Sequence, residues 1–243
     1  MTFKLISCKV FEAEINSLLP EIPHQLDVTF IELGEHARPA LLRSRLQAAI
    51  NASGGHDAVL LAYGLCGTAT EGLRAGTVPV VIPRSHDCCG ILLGSRRRFE
   101  ELFRAMPSTP FASVGFAASG DYYFQDGELV LGDSYARLVE QYGEDNARYV
   151  WEAMHPRLDG ELQPVYFIHT VTPDADVCTS CREKAQAEGR EFRELSGDLR
   201  LLRMLMRGDW PPDEFLVLKP GESIRQTADW DRIMTAAESG RYS

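Results

Sequence analysis

The sequence predicts an α/β protein built on a doubly wound, mostly parallel sheet. Two short apolar runs, residues 58–62 and 78–82, are bounded by turn residues and are too short for typical helices, so we interpret them as buried strands. Strand patterns alternate with amphipathic helical patterns along the chain, which is typical of parallel sheets with right-handed crossovers. The alternation resumes in the second half, so the sequence allows two Rossmann-like lobes or one sheet extended by three strands.

The first half of the chain is expected to form four strand–helix units. Pro20 ends the first helix because proline lacks the amide N–H that a helix interior requires. Pro39 lies in the first turn of the second helix, where that amide is not needed. The predicted strands are residues 3–7, 26–33, 58–62 and 78–82, and the predicted helices are residues 12–19, 39–50, 70–74 and 87–105.

The second half begins with a segment that has no clear period. Residues 108–132 combine glycines with aromatic side chains and are predicted to form a loop or hairpin over the sheet edge. Asp133 is a plausible cap for a helix over residues 135–154. We divide the chain into an N-terminal lobe, 1–132, and a connecting helix with a C-terminal lobe, 133–243. In the second lobe we predict strands at 164–169, 192–195 and 215–218, and helices at 178–188, 198–207 and 229–237.

Composition excludes several classes of partner. The chain carries 25 basic against 35 acidic residues, and the resulting net charge of -10 repels nucleic acid and anionic membranes, so we expect a small-molecule ligand instead. No apolar run approaches the roughly 20 residues of a membrane span and no leader pattern opens the sequence, so we expect a cytoplasmic protein. In a reducing compartment the six cysteines are candidates for ligand, redox or core roles rather than disulfides.

Three of these cysteines follow three predicted strands. Cys8 follows residues 3–7, and Cys66 and Cys88 come just after the two apolar runs. Because parallel strands end at one edge of a sheet, where α/β proteins bind ligands, we expect the three thiols to meet there. Thiolates bind soft or borderline metals, so the group predicts a zinc site or an iron–sulfur cluster. The alternatives are small buried core residues, or a redox or nucleophilic cysteine.

Residues around the HDCC sequence complete the predicted site. His86 is a candidate fourth metal ligand or general acid–base, and Asp87 is either a helix cap or a catalytic group. Arg84 is expected beside the site, where it would hold a carboxylate or phosphate, and Cys89 is expected in the core. The remaining candidates for contact with a bound cofactor are Gly64, Gly67 and Tyr122.

A second cysteine motif, Cys178-Thr-Ser-Cys181, stands at a predicted helix start. Helix dipoles lower a thiol pKa there, so the pair is a candidate for redox chemistry or for two metal ligands. His169 closes a predicted strand and is expected to be hydrogen-bonded, or to face the same edge as the cysteines. No GxGxxG, GxxxxGK[ST] or GxSxG motif occurs, so nucleotide binding and serine hydrolysis have little support.

Several sequence blocks carry a resemblance to a known family. They are YGLCG, EGLRAG, VIPRSHDC, LLGSRRRF, the opening ISCKVFEAEI, the stretch QYGEDNARY and the closing GDLRLLRMLMRGDWPPDEFLVLKPGESI. Over nearly the whole chain they resemble the bacterial and archaeal family of domain of unknown function 1638 (DUF1638). Residues 115–122 depart from it, since a tryptophan-containing segment is expected there. The resemblance implies that the shared residues are Cys8, Cys66, His86, Asp87 and Cys88.

The same resemblance implies a place in the metabolism of methylated small compounds. A corrinoid is then a candidate cofactor, and a methyltransferase or corrinoid protein is a candidate partner. By this likeness Cys89 and the Cys178/Cys181 pair are particular to this chain and do not define the shared chemistry.

We therefore expect a metal-binding cytoplasmic protein in which Cys8, Cys66 and Cys88 hold zinc or an iron–sulfur cluster. Three thiolates leave a coordination position open for a substrate or second cofactor. One alternative is a non-catalytic carrier or chaperone that delivers a metal or corrinoid to a methyltransferase. Another is a small-molecule-binding domain with packed cysteines, so the sequence leaves open whether the protein is an enzyme.

Overall fold

The computed structural model describes residues 1–32, 39–66, 69–105, 109–118, 163–171, 174–227 and 232–238, with Val139, Glu144 and Asp229 described singly. These residues form a mixed α/β fold with mostly parallel sheets, as predicted. The doubly wound arrangement stays a prediction. Gly67, Tyr122 and all but two residues of the helix predicted at 135–154 lie outside the described residues.

The described part of the chain contains ten strands and seven helices. The strands are β1 (Thr2–Cys8), β2 (Gln25–Ile31), β3 (Ala58–Ala62), β4 (Val80–Pro83), β5 (Phe111–Ala112), β6 (Val165–His169), β7 (Phe192–Ser196), β8 (Phe215–Leu218), β9 (Ser223–Gln226) and β10 (Met234–Ala237). The helices are α1 (Glu12–Leu18), α2 (Pro39–Asn51), α3 (Cys88–Leu92), α4 (Arg96–Phe103), α5 (Val114–Ala118), α6 (Ala175–Ala187) and α7 (Arg200–Arg207).

The larger sheet has five strands in the order β2-β1-β3-β4-β8. The first four are parallel, whereas β8 pairs antiparallel with β4. Every residue of β3 is buried, because this central strand is covered on both faces. The prediction that β1, β3 and β4 are parallel neighbours is therefore confirmed.

The smaller sheet has three parallel strands in the order β5-β6-β7, and β9 forms an antiparallel pair with β10. Strand β5 comes from the predicted first lobe and joins two strands of the predicted second lobe. Strand β8, from the second lobe, completes the larger sheet. The boundary between residues 132 and 133 stays a prediction.

Three predicted helices differ from the structure. The helix predicted at 87–105 is two helices, because Gly94 has a positive φ of 72° and Ser95 starts α4 by accepting a hydrogen bond from Arg98 N at 3.3 Å. Residues 70–72 form a turn, and Arg74 forms an isolated β-bridge with Ser223 instead of continuing a helix. Residues 234–237, predicted as helix, form β10 because they pair with β9.

Contacts between the two sheets bring their carboxyl-terminal edges together. Thr170 Oγ1, just past β6, donates a 2.6 Å hydrogen bond to Glu14 Oε1 on α1. Asp198 N, just past β7, donates to Leu92 O at the end of α3 over 2.9 Å. None of the described helices combines the length and apolar character that crossing a bilayer requires.

Candidate metal centre

The structure places the three predicted cysteines at the same edge of the larger sheet. Cys8 is the last residue of β1, Cys66 lies in the turn after β3, and Cys88 is the first residue of α3 after β4. The Cys66 and Cys8 side chains lie close enough to the Cys88 thiol to raise its pKa. Cys8 is 0% exposed and Cys88 4% exposed, whereas Cys66 is partly exposed. The group is thus almost buried, with Cys66 as its member nearest to solvent.

Backbone contacts between the turns after β3 and β4 set the position of Cys66. Leu65 N donates to Ser85 O over 2.9 Å, and Cys66 N donates to His86 O over 3.0 Å. This approach requires Gly64, since a Cβ at that position would lie 2.7 Å from Asp87 N and 2.8 Å from Ser85 O. Cys66 itself adopts a φ of 47°, which is uncommon for a residue with a side chain and is often found at functional sites.

Asp87 caps the helix that begins at Cys88. Its Oδ1 accepts a 3.2 Å hydrogen bond from Gly90 N, and Ser85 Oγ donates to the Asp87 carbonyl oxygen over 2.8 Å. The predicted helix cap is therefore confirmed. Burial raises the pKa of Asp87 to about 7, and the nearby charge of an ionised Cys66 adds to the shift. The carboxyl thus lies within electrostatic range of the thiol group, and its catalytic role stays a prediction.

The thiols modify one another's ionisation. Hydrogen bonds to Cys66 and Cys8, together with burial, raise the pKa of Cys88 well above its usual range. A buried, protonated thiol is a poor nucleophile. A bound cation reverses this balance because it deprotonates a coordinating thiol. The arrangement is therefore better suited to metal binding than to nucleophilic catalysis.

The side chains of His86 and Arg84 have contacts away from the thiols. The His86 ring packs against Phe99 of α4 with centroids 5.7 Å apart, and burial lowers its pKa. The Arg84 guanidinium donates to Pro212 O over 2.8 Å, to Arg232 O over 2.9 Å and to Met234 O. Arg84 thus ties β4 to the segment that leads into β10. The predicted roles of both residues in ligand binding stay predictions.

The remaining cysteines lie elsewhere. Cys89 is buried in the main core, as predicted, and burial raises its pKa. Cys178 and Cys181 belong to a separate small core with Phe167 and Ala185. Burial raises the pKa of Cys178 and raises that of Cys181 to about 11, so the prediction of lowered pKa values at this helix start is wrong. Desolvation outweighs the helix dipole here.

Sequence reasoning missed one buried acid, Glu14, at the contact between the two sheets. Glu14 is 0% exposed, Thr170 donates to its Oε1, and burial raises its pKa. A signal was present in the sequence. Glu14 lies three residues after Phe11 and four before Leu18, both buried, so the helical period places it on the apolar face of α1.

A comparison with protein-family models places the chain among known sequences. The model described as "Protein of unknown function (DUF1638)" matches residues 30–206, well over half of the chain. The chain belongs to the DUF1638 family. The DUF1638 match includes Cys66 and Cys88, whereas Cys8 precedes it and reaches the site because β1 lies beside β3. No curated protein and no solved structure matches the chain.

Proposed function

We propose that this DUF1638 protein holds a thiophilic metal centre through Cys8, Cys66 and Cys88, and binds a small molecule at the coordination position that remains open. The observation that carries the proposal is the position of the three cysteines at one edge of the sheet, where Cys66 and Cys8 lie close enough to the Cys88 thiol to raise its pKa. Three residues more than 20 positions apart in sequence come from three neighbouring strand ends. Three thiolates are a donor set that zinc and iron–sulfur clusters both accept.

Packing alone does not require this arrangement. A cysteine in a core needs only apolar neighbours, but here the chain between β3 and α3 is drawn together by two backbone hydrogen bonds and a glycine contact. Cys66 also has a left-handed backbone conformation that disfavours side chains. The left-handed backbone at Cys66 and the neighbouring thiols support a site whose role is to bind a ligand.

Burial favours a retained metal over a transferred one. A carrier that passes metal or corrinoid to a methyltransferase needs exposed ligands, yet Cys8 and Cys88 are almost completely buried. We therefore favour an enzyme-like centre with access beside Cys66 over the carrier. Methylated small compounds, and a corrinoid as second cofactor, are the ligands that the family resemblance implies for the open position.

The test is anaerobic purification followed by metal and sulfide analysis and absorbance spectroscopy. Iron with sulfide and a brown colour would identify a cluster, and zinc in colourless protein would identify a zinc centre. Cys66→Ser should lose this metal, because one of three ligands is removed at the least buried position. Cys181→Ser, a change at a buried thiol in the separate core, is the matched control and should keep it.

Two results would overturn the proposal. One is wild-type protein that contains neither zinc nor iron under anaerobic and zinc-supplemented preparation. The other is Cys66→Ser protein that is folded by circular dichroism and carries the same metal, in the same amount, as the wild type. Either result would leave packed cysteines as the explanation of the thiol group.

A further inference from the structure

A second group of ligand-type side chains lies at the edge of the smaller sheet. His169 is the last residue of β6, Glu194 lies in β7, and Cys178 lies in the first turn of α6. Phe167 pairs with Glu194 and His169 with Ser196, so His169 and Glu194 lie on the same face of neighbouring strands. One ligand atom from each of these residues lies within 4.8 Å of the other two. Within the described ranges this is the group that meets that distance. The thiols of Cys8, Cys66 and Cys88 do not form a group with all three sulfurs this close.

The hydrogen bonds of His169 indicate which of its nitrogens faces the group. Nδ1 lies 2.6 Å from Asp174 Oδ2, and Nε2 lies 2.9 Å from Glu194 Oε2. A ligating histidine typically donates its other ring N–H to a carboxylate, which fixes the tautomer and orients the ring. Asp174 is suited to that role because its side chain is only 12% exposed. Nε2 is then directed toward Glu194.

We propose that His169 Nε2, Glu194 Oε2 and Cys178 Sγ bind a divalent metal ion, with zinc as the best match. Nitrogen, carboxylate oxygen and thiolate sulfur are the ligand types that zinc uses in proteins, and three ligands leave a fourth position open. The Glu194 side chain is 45% exposed, so the ion can enter from solvent. This second site shares no residue with the three-thiol centre and does not depend on it.

Arg182 fits the same arrangement. Its Nη2 donates to Glu194 Oε1 over 2.5 Å and lies 3.9 Å from Cys178 Sγ. Glu194 can therefore keep one oxygen for Arg182 while the other binds the ion. The thiolate of Cys178 and the carboxylates of Asp174 and Glu194 carry three negative charges, which Arg182 and a divalent ion together balance. A bound ion thus leaves no uncompensated charge at this partly buried position.

The test uses full-length Cys66→Ser protein, in which the three-thiol centre is disabled, titrated with Co²⁺ or Zn²⁺ alone. We expect one Co²⁺ per chain with thiolate-to-cobalt charge-transfer absorption in the near ultraviolet. Cys178→Ser in this background should abolish that band. Cys181→Ser, three residues along α6 and in the same small core, is the matched control and should keep it. Asp174→Asn should weaken binding roughly 10- to 100-fold while the band remains.

The inference fails if the Cys66→Ser chain binds no cobalt, or if Cys178→Ser leaves the band and the affinity unchanged. Should Cys178→Ser not fold, Glu194→Gln makes the same distinction, because this side chain is half-exposed and its loss is tolerated. Glu194→Gln must then weaken Co²⁺ binding at least about tenfold, and unchanged binding would overturn the assignment. The difference in metal content between the wild type and Cys66→Ser reports on the three-thiol centre, whereas the Cys178→Ser and Glu194→Gln changes report on the second site, so the two proposals can fail independently.

Discussion

The two candidate metal sites lie at the carboxyl-terminal edges of the parallel strands in the two sheets, yet they are built differently. At the edge of the larger sheet the thiols are almost buried, and backbone hydrogen bonds and a glycine contact position them. At the edge of the smaller sheet, partly exposed charged side chains position one another through His169 and Arg182. The first site is held by the main chain and the second by an ion-pair network.

This difference predicts how each site responds to change. A buried site that backbone contacts position should lose its geometry when packing is disturbed, because the neighbouring atoms have no room to move. A half-exposed network tolerates substitution, since exposed ion pairs contribute little to stability. Two substitutions test this contrast between the two sites, and a third tests the contact between the two sheets.

The largest effect is expected for Gly64→Ala. The new methyl group would meet backbone atoms of Asp87 and Ser85 at 2.7 to 2.8 Å, and backbone cannot rotate away. We expect the free energy of unfolding to fall by about 2–3 kcal/mol, with loss of metal at the three-thiol centre. Denaturant titration with metal analysis measures both. Gly55→Ala, where nothing lies within 4 Å of the new Cβ, is the control and should be nearly neutral.

An intermediate effect is expected for Glu14→Gln, at the contact between the sheets. Burial raises the pKa of Glu14 above 4.5, so the folded state holds this proton more tightly than the unfolded state. The wild type therefore loses stability as pH rises above 4.5, until the folded-state pKa is passed. Glutamine does not ionise, so the stability of Glu14→Gln relative to the wild type should be greater at neutral pH than under acid conditions.

Denaturant titrations across this pH range check the prediction for Glu14. Glu12→Gln, on the same helix but partly exposed, serves as the control and should follow the wild-type profile. Parallel profiles for the wild type and Glu14→Gln would show that the Glu14 carboxyl does not carry the pH dependence.

The smallest effect on the metal-free chain is expected for Glu194→Gln. It removes ion pairs with Arg182 and His169, but the Glu194 side chain is 45% exposed, so the unfolding free energy should change by less than about 1 kcal/mol.

Added zinc should raise the melting temperature of the Cys66→Ser chain and not that of the chain that also carries Glu194→Gln. Glu191→Gln, which removes the exposed ion pair with Arg193, should keep the zinc response. If Glu194→Gln lowered the unfolding free energy of the metal-free chain by several kcal/mol, the contrast between the two sites would be wrong.

The larger sheet and the meeting of its cysteines follow from sequence by one rule. Apolar runs that end in Cys8, Cys66 and the HDCC sequence predict parallel neighbours, and parallel strands share a carboxyl edge. Local chemistry also predicted the Asp87 cap. Each of these features depends on a few residues that are close in sequence, so it can be predicted from the sequence alone.

The second site required information that the sequence does not display. His169 and Glu194 meet only because of the register between β6 and β7, and Cys178 only because α6 packs over that face. The helix predicted over β10 is wrong because pairing with β9 overrides the local helical pattern. The break at Gly94 likewise reflects contact with Asp198, about 100 residues further along the chain.

The antiparallel strand β8 has a consequence for biosynthesis. It pairs with β4, whose end leads to Cys88, and it is made only after about 130 further residues have been translated. Until β8 emerges from the ribosome, β4 is an edge strand with one side unpaired, and such an open edge is prone to aggregation in a nascent chain. Maturation of the three-thiol centre is therefore expected to be a late, post-translational event, and chains stopped before residue 215 should be substrates for chaperones rather than for metal insertion.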